Sequence, residues 1–208
     1  GTEVIRLWPG DSAVLDGVKV SAGWPCFARG GAKETAAPGY TGLAGSSRLS
    51  KSSETALTFG LLFADINLDG FEDLILANGH IEPEIEHIRK TWEFAQRPQL
   101  FLNNRVGQFV EITDRAGPPF ESKIVGRSVA TADIDGDGDL DVLLTANGGP
   151  PKLLRNERSK DANVVRVRLI GSGKNTNALG AALRAEIAGV TQTRYVTTGG
   201  SYLSQSEL

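Results

Sequence analysis

A nine-residue acidic pattern occurs twice in this chain, and it constrains the fold more than any other feature. The first copy is DINLDGFED, Asp65–Asp73, and the second is DIDGDGDLD, Asp133–Asp141. Their leading aspartates stand 68 residues apart. Repeats at such a spacing point to an array of similar supersecondary units. Each copy opens an apolar run, Leu74–Ala77 and Val142–Leu144, and each run ends at an Asn-Gly pair, Asn78–Gly79 and Asn147–Gly148. Runs this short suit core strands, and Asn-Gly is a turn signal. A weaker echo follows each copy, PQLFLNN at Pro98–Asn104 and PKLLRNE at Pro151–Glu157. The repeat unit therefore reads as acidic loop, apolar strand, turn, Pro-x-Leu strand, Asn turn.

Within each loop the oxygen-bearing residues fall at positions 1, 3, 5 and 9: Asp65, Asn67, Asp69 and Asp73, then Asp133, Asp135, Asp137 and Asp141. Alternate residues of a tight curl point to one centre. Carboxylates gathered there repel one another unless a cation sits among them. An all-oxygen set suits a hard ion with six to eight ligands, Ca2+ rather than Zn2+. Glycine at position 6, Gly70 and Gly138, permits the turn that swings the carbonyl of position 7, Phe71 or Asp139, inward. Two calcium sites are expected, the second tighter because it holds four carboxylates against three. An EF-hand opens the same way but needs a glutamate at position 12 and flanking helices. Position 12 here is Leu76 or Leu144, so that reading fails.

The pattern D-x-[DN]-x-D-G-x-x-D before an apolar strand resembles the FG-GAP/VCBS repeat of integrin-α-like β-propellers. That resemblance implies calcium held by Asp65, Asn67, Asp69, Phe71 and Asp73, and by Asp133, Asp135, Asp137, Asp139 and Asp141. The flanks LTFGLLFADINLDGFEDLILANGHIEP and GQFVEITDRAG are similar to repeats of bacterial proteins related to cartilage acidic protein. The tail, with VRLIGSGKNTNALGA and GGSYLSQSEL, resembles the ASPIC/UnbV domain that follows the propeller there, with Thr176 where that family's arginine is expected. The implied fold is all-β: a partial β-propeller of FG-GAP/VCBS blades followed by a small antiparallel β domain. Residues 1–55 stay unassigned, with part of a blade as one reading. Residues 56–158 hold the two calcium-binding repeats. Residues 159–208 form the ASPIC/UnbV-like domain, C-terminally truncated as in a fragment. The implied role is non-catalytic: extracellular or periplasmic binding and cell adhesion, toward a protein or a glycan. A calcium-dependent polysaccharide-acting enzyme domain and a structural spacer of a surface protein are the alternatives.

Composition agrees. Glycine supplies 25 of 208 residues, as expected for many tight turns. The net charge of −3 gives no basic face for nucleic acid. No apolar run approaches the ~18 residues of a membrane span, so no membrane insertion is expected. Cys26 is the single cysteine and has no disulfide or zinc partner, and the chain shows no signal peptide. Thr2–Leu7 and Val14–Val20 read as strands, with turns at Pro9–Asp11 and Asp16–Gly17, and residues 28–53 read as loop. From Asn163 the texture becomes period-2, with strands around Val165–Leu169, Leu183–Ile187 and Thr191–Thr197. One stretch departs from β-patterning: Ile81, Ile85, Ile88 and Trp92 share a face at helical spacing, which predicts a short amphipathic helix. His80 and His87 flank three glutamates without any zinc spacing, and GSGKNT, Gly171–Thr176, lacks the Walker spacing and reads as an ordinary turn.

Overall fold

A computed structural model describes residues 4–7, 12–15, 18–23, 49, 53–157, 164–171, 173–187 and 189–207. Strands run in the order β1 Val4–Leu7, β2 Ser12–Leu15, β3 Val18–Gly23, β4 Thr58–Ala64, β5 Asp73–Asn78, β6 Gln99–Asn103, β7 Phe109–Glu111, β8 Gly126–Ala132, β9 Asp141–Ala146, β10 Lys152–Leu154, β11 Arg166–Leu169, β12 Ala182–Ile187 and β13 Val190–Tyr195. The α-helical turn α1, Ile85–Ile88, lies between β5 and β6. The architecture is all-β, and the expected turns at Pro9–Asp11 and Asp16–Gly17, like most of the expected loop over 28–53, lie outside the described residues.

The chain divides into two compact units, one built around residues 43–164 with 199–207, the other around 1–42 with 165–198. In the first unit each repeat makes one antiparallel sheet, in the order β4-β5-β6-β7 and β10-β9-β8. These are successive blade-like sheets of a partial β-propeller. Their facing sides share one core: Leu62, Ile75 and Leu100 from the first sheet meet Val129, Val142, Leu144 and Leu154 from the second. Ile75, Val129 and Leu144 are fully buried, each worth about 1.5–3 kcal/mol of burial. β5 is buried along its whole length, because Leu74, Leu76 and Phe101 pack with Leu49 and Phe109 on its other side. A strand covered on both faces must be apolar throughout, which is why it reads as an unbroken run.

The helical expectation between β5 and β6 is only partly met. α1 spans four residues, and of the predicted stripe Ile85 is buried while Ile81 and Ile88 are 66 % and 69 % exposed. The reason is local. Pro83 disfavours helix at the residue before it, and Arg89 is already extended with φ −137°.

In the second unit β13-β12-β3-β2 form an antiparallel sheet, and β1 pairs in parallel with β11, Val4 opposite Arg166. The N-terminal strands pair with strands that follow the repeats, β3 with β12 and β1 with β11. Residues 199–207 group with the repeats rather than with the strands that precede them. There, Ser204 Oγ donates to the Val129 carbonyl (2.6 Å), Thr131 N–H donates to Ser206 Oγ (3.1 Å) and Glu207 N–H donates to the Thr131 carbonyl (2.9 Å). The tail thus runs along β8, whose other neighbour in the sheet is β9.

Candidate metal centre

Each acidic loop links two paired strands, β4 to β5 and β8 to β9, so the ladder fixes both of its ends. Between them the side chains fold back onto the loop's own N–H groups. Asp65 accepts from Asp69 N–H (3.0 Å) and Gly70 N–H (2.7 Å), Asn67 from Asp69 N–H (3.0 Å), and Asp69 from Phe71 N–H (2.9 Å). The second loop repeats this: Asp133 accepts from Gly136 N–H (2.8 Å) and Gly138 N–H (3.2 Å), and Asp137 from Asp139 N–H (3.2 Å). Gly70 and Gly138 have φ of +89° and +99°, so position 6 needs glycine. These bonds fold the carboxylates back over their own loops.

Among the described residues, Asp133, Asp135 and Asp137 are the set of acidic, His or Cys side chains whose ligating atoms all lie within 4.8 Å of one another. A carboxylate oxygen has lone pairs beyond the one given to an N–H. Three carboxylates at this separation fit a hard cation such as Ca2+ by donor type and by charge. Asp135 is held above the ordinary carboxylate range, first by lost hydration and then by the charges of Asp137 and Asp141.

The position-9 aspartates do something the spacing does not reveal. Asp73 and Asp141 are buried, and each clamps two segments with its two oxygens. Asp73 accepts from Ile66 N–H (3.1 Å) at the loop's second position and from Asn103 N–H (2.9 Å) at the end of β6. Asp141 accepts from Ile134 N–H (3.0 Å) and from Asn156 N–H (2.8 Å) just past β10. Burial pushes the Asp73 carboxyl up to about 6, against these two N–H groups and with the charges of Asp65 and Asp69 adding to the rise. At position 7, Phe71 lies under the Arg105 guanidinium, 5.5 Å from the ring centroid, and the Asp139 side chain is fully buried.

Several participants carry no sequence motif. Arg105 Nε lies 3.2 Å from Asp69 Oδ2, and Arg155 lies 3.7 Å from Asp135 Oδ2. Arg105 stands two residues past Asn103 at the end of β6, and Arg155 lies between the end of β10 and Asn156. Glu207, from the tail, accepts the Asp133 N–H at 2.9 Å. The histidines take structural places: His80 is buried edge-on to Trp92 and accepts the Glu82 N–H, while His87 sits exposed beside Glu84. Gly171 N–H donates to the Thr176 carbonyl at 3.0 Å.

A polar cavity of about 340 Å³ lies at the other end of the first blade, lined by Asn78, Gln96, Gln99, Glu111 and Thr113 among others. There Asn78 Nδ2 donates to Gln99 Oε1 at 2.9 Å, and Gln96 Nε2 donates to the Glu93 carbonyl at 3.0 Å. Asp73 and Asn78 are the two ends of β5, so the cavity stands about 17 Å from the acidic loop.

Two family models match the chain. An FG-GAP-like repeat matches residues 91–144 and an FG-GAP repeat matches residues 125–167. Both span the second acidic loop; the first loop lies outside them. They support an FG-GAP repeat protein, and such repeats fit the propeller-like arrangement of the two sheets. Repeats of this kind are found in extracellular adhesion and binding modules and typically in extracellular or surface proteins. No curated protein matches the chain. No helix among the described residues is long and apolar enough to cross a membrane.

Proposed function

We propose that this chain is a non-catalytic calcium-binding propeller module that presents a surface to an extracytoplasmic protein or glycan, with an ASPIC/UnbV-like β domain attached. The observation that carries the reading is the convergence of Asp133, Asp135 and Asp137 in a loop whose pattern is duplicated at Asp65–Asp73. In the first loop Asp65, Asn67, Asp69 and Asp73 with the Phe71 carbonyl would hold the ion. In the second, Asp133, Asp135, Asp137 and Asp141 would do so with the carbonyl of Asp139. Bound calcium supplies the positive charge that lets these carboxylates stay ionised side by side. The chain's own contribution is to pre-fold the loops and to anchor each to two strands, so the ion stiffens a blade rather than opening a reaction centre. Millimolar extracellular calcium would fill even weak sites of this kind.

The polysaccharide-acting alternative needs a cleft beside the ion, and the polar cavity of the first blade stands about 17 Å from that blade's own loop. Calcium-dependent melting tests the proposal. Saturating calcium should raise the melting temperature, and Asp135→Ala or Asp137→Ala should abolish most of the rise. An unchanged melting temperature would remove the reading. A protein and glycan array then separates an adhesive module from a spacer, which would retain calcium and nothing else.

A further inference from the structure

The two acidic loops are joined by one side chain. The Asn156 Nδ2 group donates to the Ile66 carbonyl in the first loop at 2.8 Å and to the Leu140 carbonyl in the second at 3.4 Å. Its backbone N–H donates to Asp141 Oδ1, whose other oxygen holds Ile134 N–H. Ile66 is held from its other side as well, its N–H donating to Asp73 Oδ2. A continuous relay of hydrogen bonds thus runs Asp73, Ile66, Asn156, Asp141, Ile134. It connects the second position of one loop to the second position of the other.

The internal repeat supplies its own control. Asn103 is the counterpart of Asn156. Its N–H donates to Asp73, and its Nδ2 donates to the Glu72 carbonyl at 3.1 Å, as Asn156 does to Leu140. The bond to the other loop is the addition made by Asn156. That added bond is also the shorter of its two amide bonds.

We propose that Asn156 is a shared positioning residue, so that a cation held in one loop raises the affinity of the other. The inference rests on the calcium reading above. Ordering the second loop fixes Asp141 and with it Asn156; a fixed Asn156 holds the Ile66 peptide where the first loop needs it. The ordering cost of the shared brace is then met once for two ions. Reciprocity requires the same factor in the opposite direction.

The test is calcium titration of the full 208-residue chain by calorimetry. Asp135→Asn with Asp137→Asn silences the second loop, and the first-loop affinity is compared with and without that pair of changes. With Asn156 present, silencing should weaken the first loop about five- to tenfold. In the Asn156→Ala background the same silencing should change it less than about twofold, whereas Asn103→Ala should weaken the first loop and leave the coupling factor intact. Asn156→Asp, which keeps size but loses the donor, should behave as Asn156→Ala and guards against a packing artefact. The unmodified chain alone already decides: two independent sites there overturn the coupling and leave the calcium reading standing. Failure to take up calcium at all overturns the calcium reading, and the coupling with it.

Discussion

Leu68 and Gly136 occupy the same station, fourth in their loops, and both hold a left-handed backbone, with φ of 58° and 77°. Glycine adopts this at no steric cost. A leucine there costs about 1–2 kcal/mol. The first loop therefore carries strain that the second avoids, which adds to the second loop's advantage in carboxylates. Leu68→Gly should stabilise the protein by about 0.5–1 kcal/mol, after the added freedom of the unfolded chain is subtracted. It should also tighten calcium at the first loop. Gly136→Ala should do the reverse at the second. Urea unfolding with and without calcium measures both, and a destabilising Leu68→Gly would contradict the strain account.

Arg105 competes for a proposed ligand of the first loop. Its Nε lies 3.2 Å from Asp69 Oδ2, on a side chain that is itself 58 % exposed. Pairs this open are worth at most about 1 kcal/mol and weaken with salt. Arg105→Gln should raise calcium affinity at the first loop about two- to fivefold at low ionic strength. The gain should shrink at high ionic strength, and calorimetry in two salt concentrations reads it directly. A gain independent of salt would assign the effect to something other than charge.

The spacing of Asp, Gly and Asp showed where the loops lie and which strands follow them, because a curl of alternating oxygens has few other uses. The strands β5, β6, β9 and β10 fall on the predicted apolar runs. The spacing is silent about which side chain turns outward to brace a neighbour: Asn103 and Asn156 look like ordinary turn residues until their N–H groups are seen on Asp73 and Asp141. Pairings across long stretches of chain are hidden for another reason. Nothing local in Val4–Leu7 specifies Arg166–Leu169 as its neighbour, since strand propensity does not encode a partner. The Ile81–Trp92 stripe misled because periodicity was satisfied while Pro83 limited where a helix begins.

The buried Asp73 carboxyl sets a pH dependence with two signs. Burial raises it to about 6 from an ordinary 3.8. Between those values the folded chain binds more protons than the unfolded one, so without calcium this group makes stability fall as pH rises from about 4 to about 6. Calcium requires the ionised form. First-loop affinity should therefore drop about tenfold per pH unit below about 6 and level off above it. Titrations from pH 4.5 to 7.5 in a chain with Asp135→Asn and Asp137→Asn isolate the first loop. A flat affinity across that range would show that Asp73 is ionised throughout.

Backbone meets backbone where the two blades touch at Gly79 and Gly126. A β-carbon on Gly79 would lie 2.5 Å from the Gly126 nitrogen, and one on Gly126 would lie 2.7 Å from the Asn78 carbonyl oxygen. Neither obstacle is a flexible side-chain end that could swing aside. The Gly79 carbonyl also accepts from Arg127 Nη1 at 3.0 Å, which ties this crossing to β8. Gly79→Ala and Gly126→Ala should each cost about 2–4 kcal/mol by forcing the sheets apart over the shared core. Gly149→Ala is the matched control: its β-carbon would meet only Ala146 Cβ at 3.7 Å, and the change should stay within about 0.5 kcal/mol. Because Gly79 and Gly126 share one contact, the double substitution should cost less than the sum of the single ones. Urea midpoints of the four variants test this, and full additivity would mean that the two glycines relieve separate contacts.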